Sequence, residues 1–355
     1  NKRKPVTKSA REAGKYPYYG ANGIQDYVSD YIFDGTFVLI GEDGSVITKA
    51  GTPMVTWAEG KIWVNNHAHI LKAKDNILID YLYLSLRNYD TSGLTNGATR
   101  KKLTQKAMRE MTVLLRDKSE QLEIVRLFSR IDVGLVKSKQ LQEKLDELVK
   151  SRFMEMFGDP ESNSKNWQIK LLGEVCNTRL GKMLDKKKQS GTKLYPYLAN
   201  ANVQWFYFDL DNLNMMDFDE SDRAEFKLQE GDVLATEGGD VGRCAVWHCE
   251  VEECFFQKAI HRIRCHRDVL IPDYFVWAFK MKADLGLFEP YTSQSTIAHL
   301  TGKKIKQVPI QIPPLALQHE FADFVRQVDK LKFDFDFLVS FSIPSICLFC
   351  LKLDP

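Results

Sequence analysis

The chain has 355 residues, 44% hydrophobic and 27% charged, with 49 Lys plus Arg against 47 Asp plus Glu for a formal charge of +2. That length predicts two domains rather than one core, and the composition excludes a disordered chain and a histone-like binder driven by net charge, leaving local basic patches open. No apolar run reaches the roughly 18 residues needed to span a bilayer.

In chain order, residues 1–117 form the first expected domain. It is rich in aromatics, Gly and Asn, with β-branched runs at 36–40, 61–64 and 68–71 that predict strands. Tight turns are expected at Asp34-Gly35, Asp43-Gly44 and Glu59-Gly60, and short helices at 79–87 and 106–109. The chain does not begin with Met, so its N-terminus is expected to be incomplete. The start Asn1-Lys2-Arg3-Lys4-Pro5 lacks the apolar core of a signal peptide, and the seven Cys read as reduced thiols. The expected compartment is the cytoplasm.

Residues 118–158 change character: from Lys118 to Phe157 there is no Pro, a single Gly (Gly134) and mixed charge. Steps of four and three from Ile124 through Phe128, Ile131, Leu135, Leu145 and Val149 meet apolar residues at seven of ten positions, which predicts a long helix with a narrow seam. About 40 residues would make a rod of roughly 60 Å, stopped by Gly158-Asp159-Pro160. A second mixed domain is expected at 159–314, in which Gly238-Gly239-Asp240-Val241-Gly242 reads as a turn between strands. After Pro313-Pro314 a second spacer helix, 315–343, carries the seam Phe321, Phe324, Val328, Leu331, Phe335. Pro344 is expected to end it, leaving 344–355 as an atypical apolar tail. Two stripes in one chain suggest each other as partners.

The two domains repeat. Tyr16-Pro17-Tyr18 returns as Tyr195-Pro196-Tyr197, Glu42 and Gly44 as Glu237 and Gly239, and Asp80-Tyr81 as Asp273-Tyr274. Thr99, Leu103-Thr104, Lys106 and Gln121 return as Thr296, Leu300-Thr301, Lys303 and Gln318. Matches in one order with slowly drifting offsets indicate a tandem duplication.

Catalytic motifs are missing: no P-loop, no Asn-Pro-Pro-aromatic tetrapeptide and no Gly-x-Ser-x-Gly elbow. Cys244, His248, Cys249, Cys254, His261, Cys265 and His266 crowd together, but the Cys pairs are not spaced as zinc knuckles and the first repeat has none, so buried thiols are expected and no metal. Basic and amide side chains instead fall at matching places in both repeats. The candidates for DNA contact are Asn22, Asn65, His67, Arg100, Lys101 and Lys102 in the first repeat. In the second they are Lys187, Lys188, Asn200, Gln257, His261 and Gln294. Lys and Arg suit phosphates, and amides or Arg suit purine edges. A two-headed protein-interaction scaffold without enzymatic activity is the alternative, favoured if the exposed patches are aromatic rather than basic.

The order head, helix, head, helix, the recurring Thr-x₃-Leu-Thr-x-Lys pattern before each helix, and Trp167-Gln168-Ile169-Lys170-Leu171-Leu172-Gly173-Glu174-Val175 together resemble the specificity subunit of type I DNA restriction–modification enzymes. The resemblance implies an α+β fold: two β-rich target-recognition domains in tandem, separated by long helices that pair as an antiparallel coiled coil. It implies a non-catalytic subunit that binds double-stranded DNA, each head reading half of a bipartite, asymmetric site, with half-sites at least one turn apart. The helices would dock two methyltransferase subunits, with restriction/translocase subunits beyond. S-adenosylmethionine, ATP and Mg would belong to those partners, leaving this chain without a cofactor. The first head has no counterpart of Trp167 to Val175.

Overall fold

The computed structural model describes residues 3–44, 46–49, 51–97, 101–184, 191–292 and 298–351, with the backbone path alone over 334–351. The chain divides into two compact units, one of Asn1–Gln140 with Phe335–Pro355 and one of Leu141–Asp334.

The first unit holds β1 (Ala13–Gly20), β2 (Gly23–Val28), β3 (Phe33–Gly41), β4 (Val55–Val64), β5 (Ala68–Leu71), α1 (Ile79–Arg87) and α2 (Gln105–Glu110). Its five-stranded sheet runs β2-β1-β4-β3-β5. All pairs are antiparallel except β1 with β4, where Tyr18 and Tyr19 lie beside Trp63 and Val64. The expected strands and short helices are present, but two expected turns are not. Gly35 and Gly60 face each other in the middle of β3 and β4. Both have positive φ, so the glycines let a long ribbon bend without ending it.

α3 (Lys118–Phe157) is one continuous helix of 40 residues. Asp117 starts it: its Oδ1 accepts from Ser119 N and Glu120 N, both at 2.9 Å. Gly158, at φ 77°, ends it.

The second unit adds β6 (Gln168–Leu171), α4 (Leu172–Val175), β7 (Cys176–Leu180), β8 (Leu194–Leu198), β9 (Asn214–Asp217), α5 (Glu220–Phe226), β10 (Val233–Thr236), β11 (Cys244–Val246), β12 (Phe255–Phe256), β13 (Ile260–Cys265), α6 (Pro272–Asp284), α7 (Gly302–Ile305), β14 (Pro309–Ile312) and α8 (Leu315–Leu351). Its sheets run β11-β10-β13-β7, β12-β8-β9 and β14-β6. The glycine cluster is the turn between β10 and β11, as its composition predicts. Cys176, Cys244, Cys254 and Cys265 are buried and Cys249 is exposed.

Within the second unit the two long helices run antiparallel, since Asp146 pairs with Lys332 while Arg152 pairs with Glu320. Phe321 and Val328 are buried there with Val149, Phe153 and Phe157, and Leu145 and Phe324 pack at the edge. The seam nevertheless needs correction. In the first unit Ile124 and Phe128 pack on Tyr81 and Leu84 of α1. Leu135 and Leu331 are 37% and 50% exposed; a stripe of period 3.5 drifts around a 3.6-residue helix and leaves the contact line. Ile131 is half-buried, and the Phe335 side chain lies outside the described residues. α8 also continues through Pro344 to Leu351. A proline removes one donor and crowds one carbonyl, a local cost of about 3 kcal/mol, and the flanking turns carry the helix past it.

The duplication extends to buried polar bonds. Gln121 and Gln318 are both fully buried. Gln121 Oε1 accepts from Leu78 N, and its Nε2 donates to the carbonyls of Asn76 and Arg116. Gln318 Oε1 accepts from Ile271 N, and its Nε2 donates to Val269 and Pro313. Tyr81 Oη donates to Leu114 O, and Tyr274 Oη to Gln311 O. Each glutamine satisfies three backbone groups where a long helix meets its head, groups that would otherwise be left unpaired out of water.

Candidate nucleic-acid interface

The sharp hairpin between β1 and β2 turns on Ala21-Asn22, with Gly23 at φ 86°, which leaves the Asn22 side chain exposed at the sheet's end. Beside it opens a cavity of about 370 Å³ lined by Asn22, Asn65 and His67, and also by Arg11, Tyr18 and Gln25. Three expected residues therefore converge. Their roles differ. Asn65 is 3% exposed; its Nδ2 donates to Gln25 Oε1 at 3.4 Å and its Oδ1 accepts from His67 N at 2.8 Å. With both ends engaged inside the fold, Asn65 shapes the cavity rather than reading a base, which corrects its expected role. His67 Nδ1 lies 3.8 Å from Asp43 Oδ2.

Lys101 and Lys102 are exposed, and their backbone is stitched to the cavity wall. Gly44 N donates to Lys101 O, and Lys102 bridges Asp43 and Asn96. Arg100 lies outside the described residues. Arg11 stacks 4.1 Å over the Tyr18 ring and donates to Asp26, so a cation and an aromatic face sit in the same wall. Lys61 lies 4.7 Å over Tyr31, whose ring is tilted against Tyr16 at 5.1 Å; hydrogen bonding to Tyr31 raises the Lys61 pKa. Arg11, Tyr18 and Gln25 were not among the expected DNA contacts. The hairpin signal could have found Gln25, because residues a step or two from a tight turn sit at the end of a sheet.

In the second unit the expected residues scatter. Asn200 Nδ2 donates to Gly238 O at 3.0 Å, and its Oδ1 accepts from Arg243 at 3.1 Å. Gln257 is half-buried beside Lys182. His261 is fully buried, with Nε2 2.8 Å from Leu300 O. Desolvation lowers its pKa, so it is a neutral core imidazole and cannot touch a base, which corrects the sequence expectation. Its counterpart His69 has the same bond, to Leu103 O at 2.8 Å.

The strand arginines are also committed. Arg264 grips Asp232 at 2.6 and 2.8 Å, and Arg262 donates to Glu225 O. Lys187, Lys188 and Gln294 lie outside the described residues. Exposed Lys258, His299 and Lys303 remain around the same end of the second unit's sheet, near the Gly238–His299 bridge. Among the described residues no cluster of three or more His, Cys, Asp or Glu could hold a metal ion, and no helix is long and apolar enough to cross a membrane.

The family model described as type I restriction modification DNA specificity domain matches residues 1–147 and again 164–336. A Haemophilus influenzae protein assigned as the type I restriction enzyme specificity subunit S.HindORF215P is 28% identical over 343 residues, covering 93% of this chain and 84% of the relative. The S subunit of a type I restriction–modification system from M. genitalium superposes with a TM-score of 0.53 at 16% identity, covering 99% of this chain and 92% of the other. A chain from a structure of assembly and conformational transition in the type I R-M system gives 0.53 at 15% identity, covering 97% and 93%. At those identities the two structures speak to the fold alone.

Proposed function

Because the chain belongs to the type I restriction modification DNA specificity family, we propose that it is the DNA-reading subunit of such a complex, each unit specifying one half of a bipartite, asymmetric site in double-stranded DNA. The observation that carries this reading is one scaffold built twice, with the same buried glutamine and tyrosine bonds but different loop-end side chains. Shared interiors hold the sheets; unlike rims read unlike bases. The first unit reads through the cavity of Asn22, Gln25 and His67, with Lys101 and Lys102 on phosphates, and the second through the rim around Gln257, Lys258 and His299. The subunit is non-catalytic and works in the cytoplasm. α3 and α8 dock two methyltransferase subunits, restriction/translocase subunits complete the complex, and S-adenosylmethionine, ATP and Mg serve those partners.

Salt-dependent binding to DNA carrying the host's methylated site tests this. With about six phosphates contacted, the log–log slope lies near −5, and Lys101→Ala with Lys102→Ala makes it shallower by about 2 while weakening all sequences alike. A salt dependence that stays flat would overturn DNA reading. Exchanging residues 16–115 for those of a relative changes one half-site only; a change in both would overturn the two-reader arrangement.

A further inference from the structure

Residues 1–175 contain no cysteine, whereas one core of the second unit holds Cys176, Cys244 and Cys265. Cys176 opens β7 and Cys265 ends β13, and the antiparallel pairing of these strands sets the two residues directly opposite each other. Their sulfurs lie 3.6 Å apart, and the residues are 3% and 6% exposed. The neighbouring backbone bonds fix what kind of pair this is. His266 N donates to Val175 O, and Gly181 N donates to Ile260 O. Bonded and unbonded pairs alternate along an antiparallel ladder, so Cys176 and Cys265 form an unbonded pair, with Cα atoms about 4.5 Å apart and side chains at their closest. That spacing falls inside the range of about 4.4–6.8 Å that a disulfide spans.

The third thiol of this core does not compete. Cys244 is on β11, and β10 stands between β11 and β13. At about 4.8 Å per strand the separation is about 10 Å, too far to bridge without moving backbone. β7 is the last strand of its sheet, held by one neighbour, and so belongs to the part of the sheet that opens most readily. Hydrogen bonding to Cys176, together with burial, raises the Cys265 thiol well above its ordinary range. The closed pair is therefore protonated and slow to react, and a thiolate forms when β7 lifts from β13.

We propose that Cys176 and Cys265 are an oxidation site, closed to a cross-strand disulfide by a peroxide. One thiolate attacks a peroxide oxygen; the O–O bond breaks, hydroxide leaves and takes up a proton as water, and the sulfur becomes a sulfenic acid. The second thiol attacks that sulfur; the S–S bond forms, the S–O bond breaks, and the hydroxyl leaves with the thiol proton as a second water. Two thiols lose two electrons and one peroxide gains them. The bond joins residues 89 apart in sequence and encloses Lys182, Gln257 and Lys258 of the second unit's rim. It ties the last strand of the sheet to its neighbour and restricts the unfolded chain, which stabilises the fold. This site does not depend on DNA reading.

The test treats the full chain with hydrogen peroxide, blocks the remaining thiols with iodoacetamide in urea, and maps disulfides by peptide mass spectrometry. The expected product is a peptide pair linking Cys176 to Cys265, two hydrogens lighter than the reduced pair and separated by dithiothreitol. Amide exchange along a temperature series should show the second unit melting higher by on the order of 10 °C. Exchange slows at 176–180 and 260–265, while residues 13–71 keep their rates. Cys176→Ala should remove both the link and the shift, and Cys249→Ser, at the exposed thiol, should leave both. The main readout uses the unaltered chain, so misfolding of a variant cannot mimic failure. Recovery of Cys176 and Cys265 as alkylated thiols after Cys249 has been oxidised, or a link that leaves the melting unchanged, would each overturn the proposal.

Discussion

In the first unit one ten-residue strand, β4, pairs with β3 along its first part and with β1 at its end. In the second unit that work is divided: β11 pairs with β10, and β12 pairs with β8. Residues 247–254 intervene between the two short strands. The register around them is otherwise kept, with Ile40 beside His69 in one unit and Ala235 beside His261 in the other. A sheet can absorb an insertion between two pairings without disturbing either, because each ladder is held by its own local bonds. Duplicated heads are thus free to diverge in loops and rims while the joints to the long helices stay the same.

Core truncation should separate the units most. The Phe153 ring lies 5.0 Å from Phe157, 5.5 Å from Phe321 and 5.9 Å from Tyr274. Phe153→Ala should therefore cost near the top of the about 3–5 kcal/mol range for such cavities. Phe128→Ala in the smaller cluster of the first unit should fall near the bottom. Denaturant melts followed by unit-resolved hydrogen exchange would show it, and equal costs would deny that the cores differ.

The glutamine joints give the opposite expectation. Gln121→Leu and Gln318→Leu should each cost about 2–4 kcal/mol by stranding a buried N–H and two carbonyls, and by similar amounts. A loss in one unit alone, read by the same exchange measurement, would break their equivalence.

The smallest effect is acid sensitivity. Desolvation holds His69 and His261 below the ordinary value of 6.5, so both stay neutral in the fold while the unfolded chain takes up protons. Their contribution is complete above the unfolded pKa and is lost as pH falls below it through the folded values. His69 Nδ1 lies 3.4 Å from Glu42, which offsets part of that loss; Glu237 acts on His261 in the same sense, but among the described residues His261 Nδ1 has no hydrogen-bond partner. Between about pH 7.5 and 5.5 the second unit should lose more stability than the first; parallel curves would count against this difference.

Much of this molecule was legible in the residues themselves. The end of α3 at Gly158, the start of α8 after Pro313-Pro314, the strands at 36–40 and 68–71 and the duplication all rest on local conformational preference and periodicity, which travel with the chain. Gln121 and Gln318 were visible as matching letters, but not as buried joints, since burial depends on segments far apart in sequence. For the same reason His261 and Asn65 read as polar contacts until the sheet closed over them, and only folding brought Gln25 and Arg11 to Asn22. Gly35 and Gly60 looked like turns because positive φ is legible while pairing is not: only tertiary structure set them opposite each other inside long strands. The sequence by itself determined the elements and their order. Which polar side chains face water and which face the core was decided by long-range packing, where the surroundings rather than the residue set the cost of leaving water.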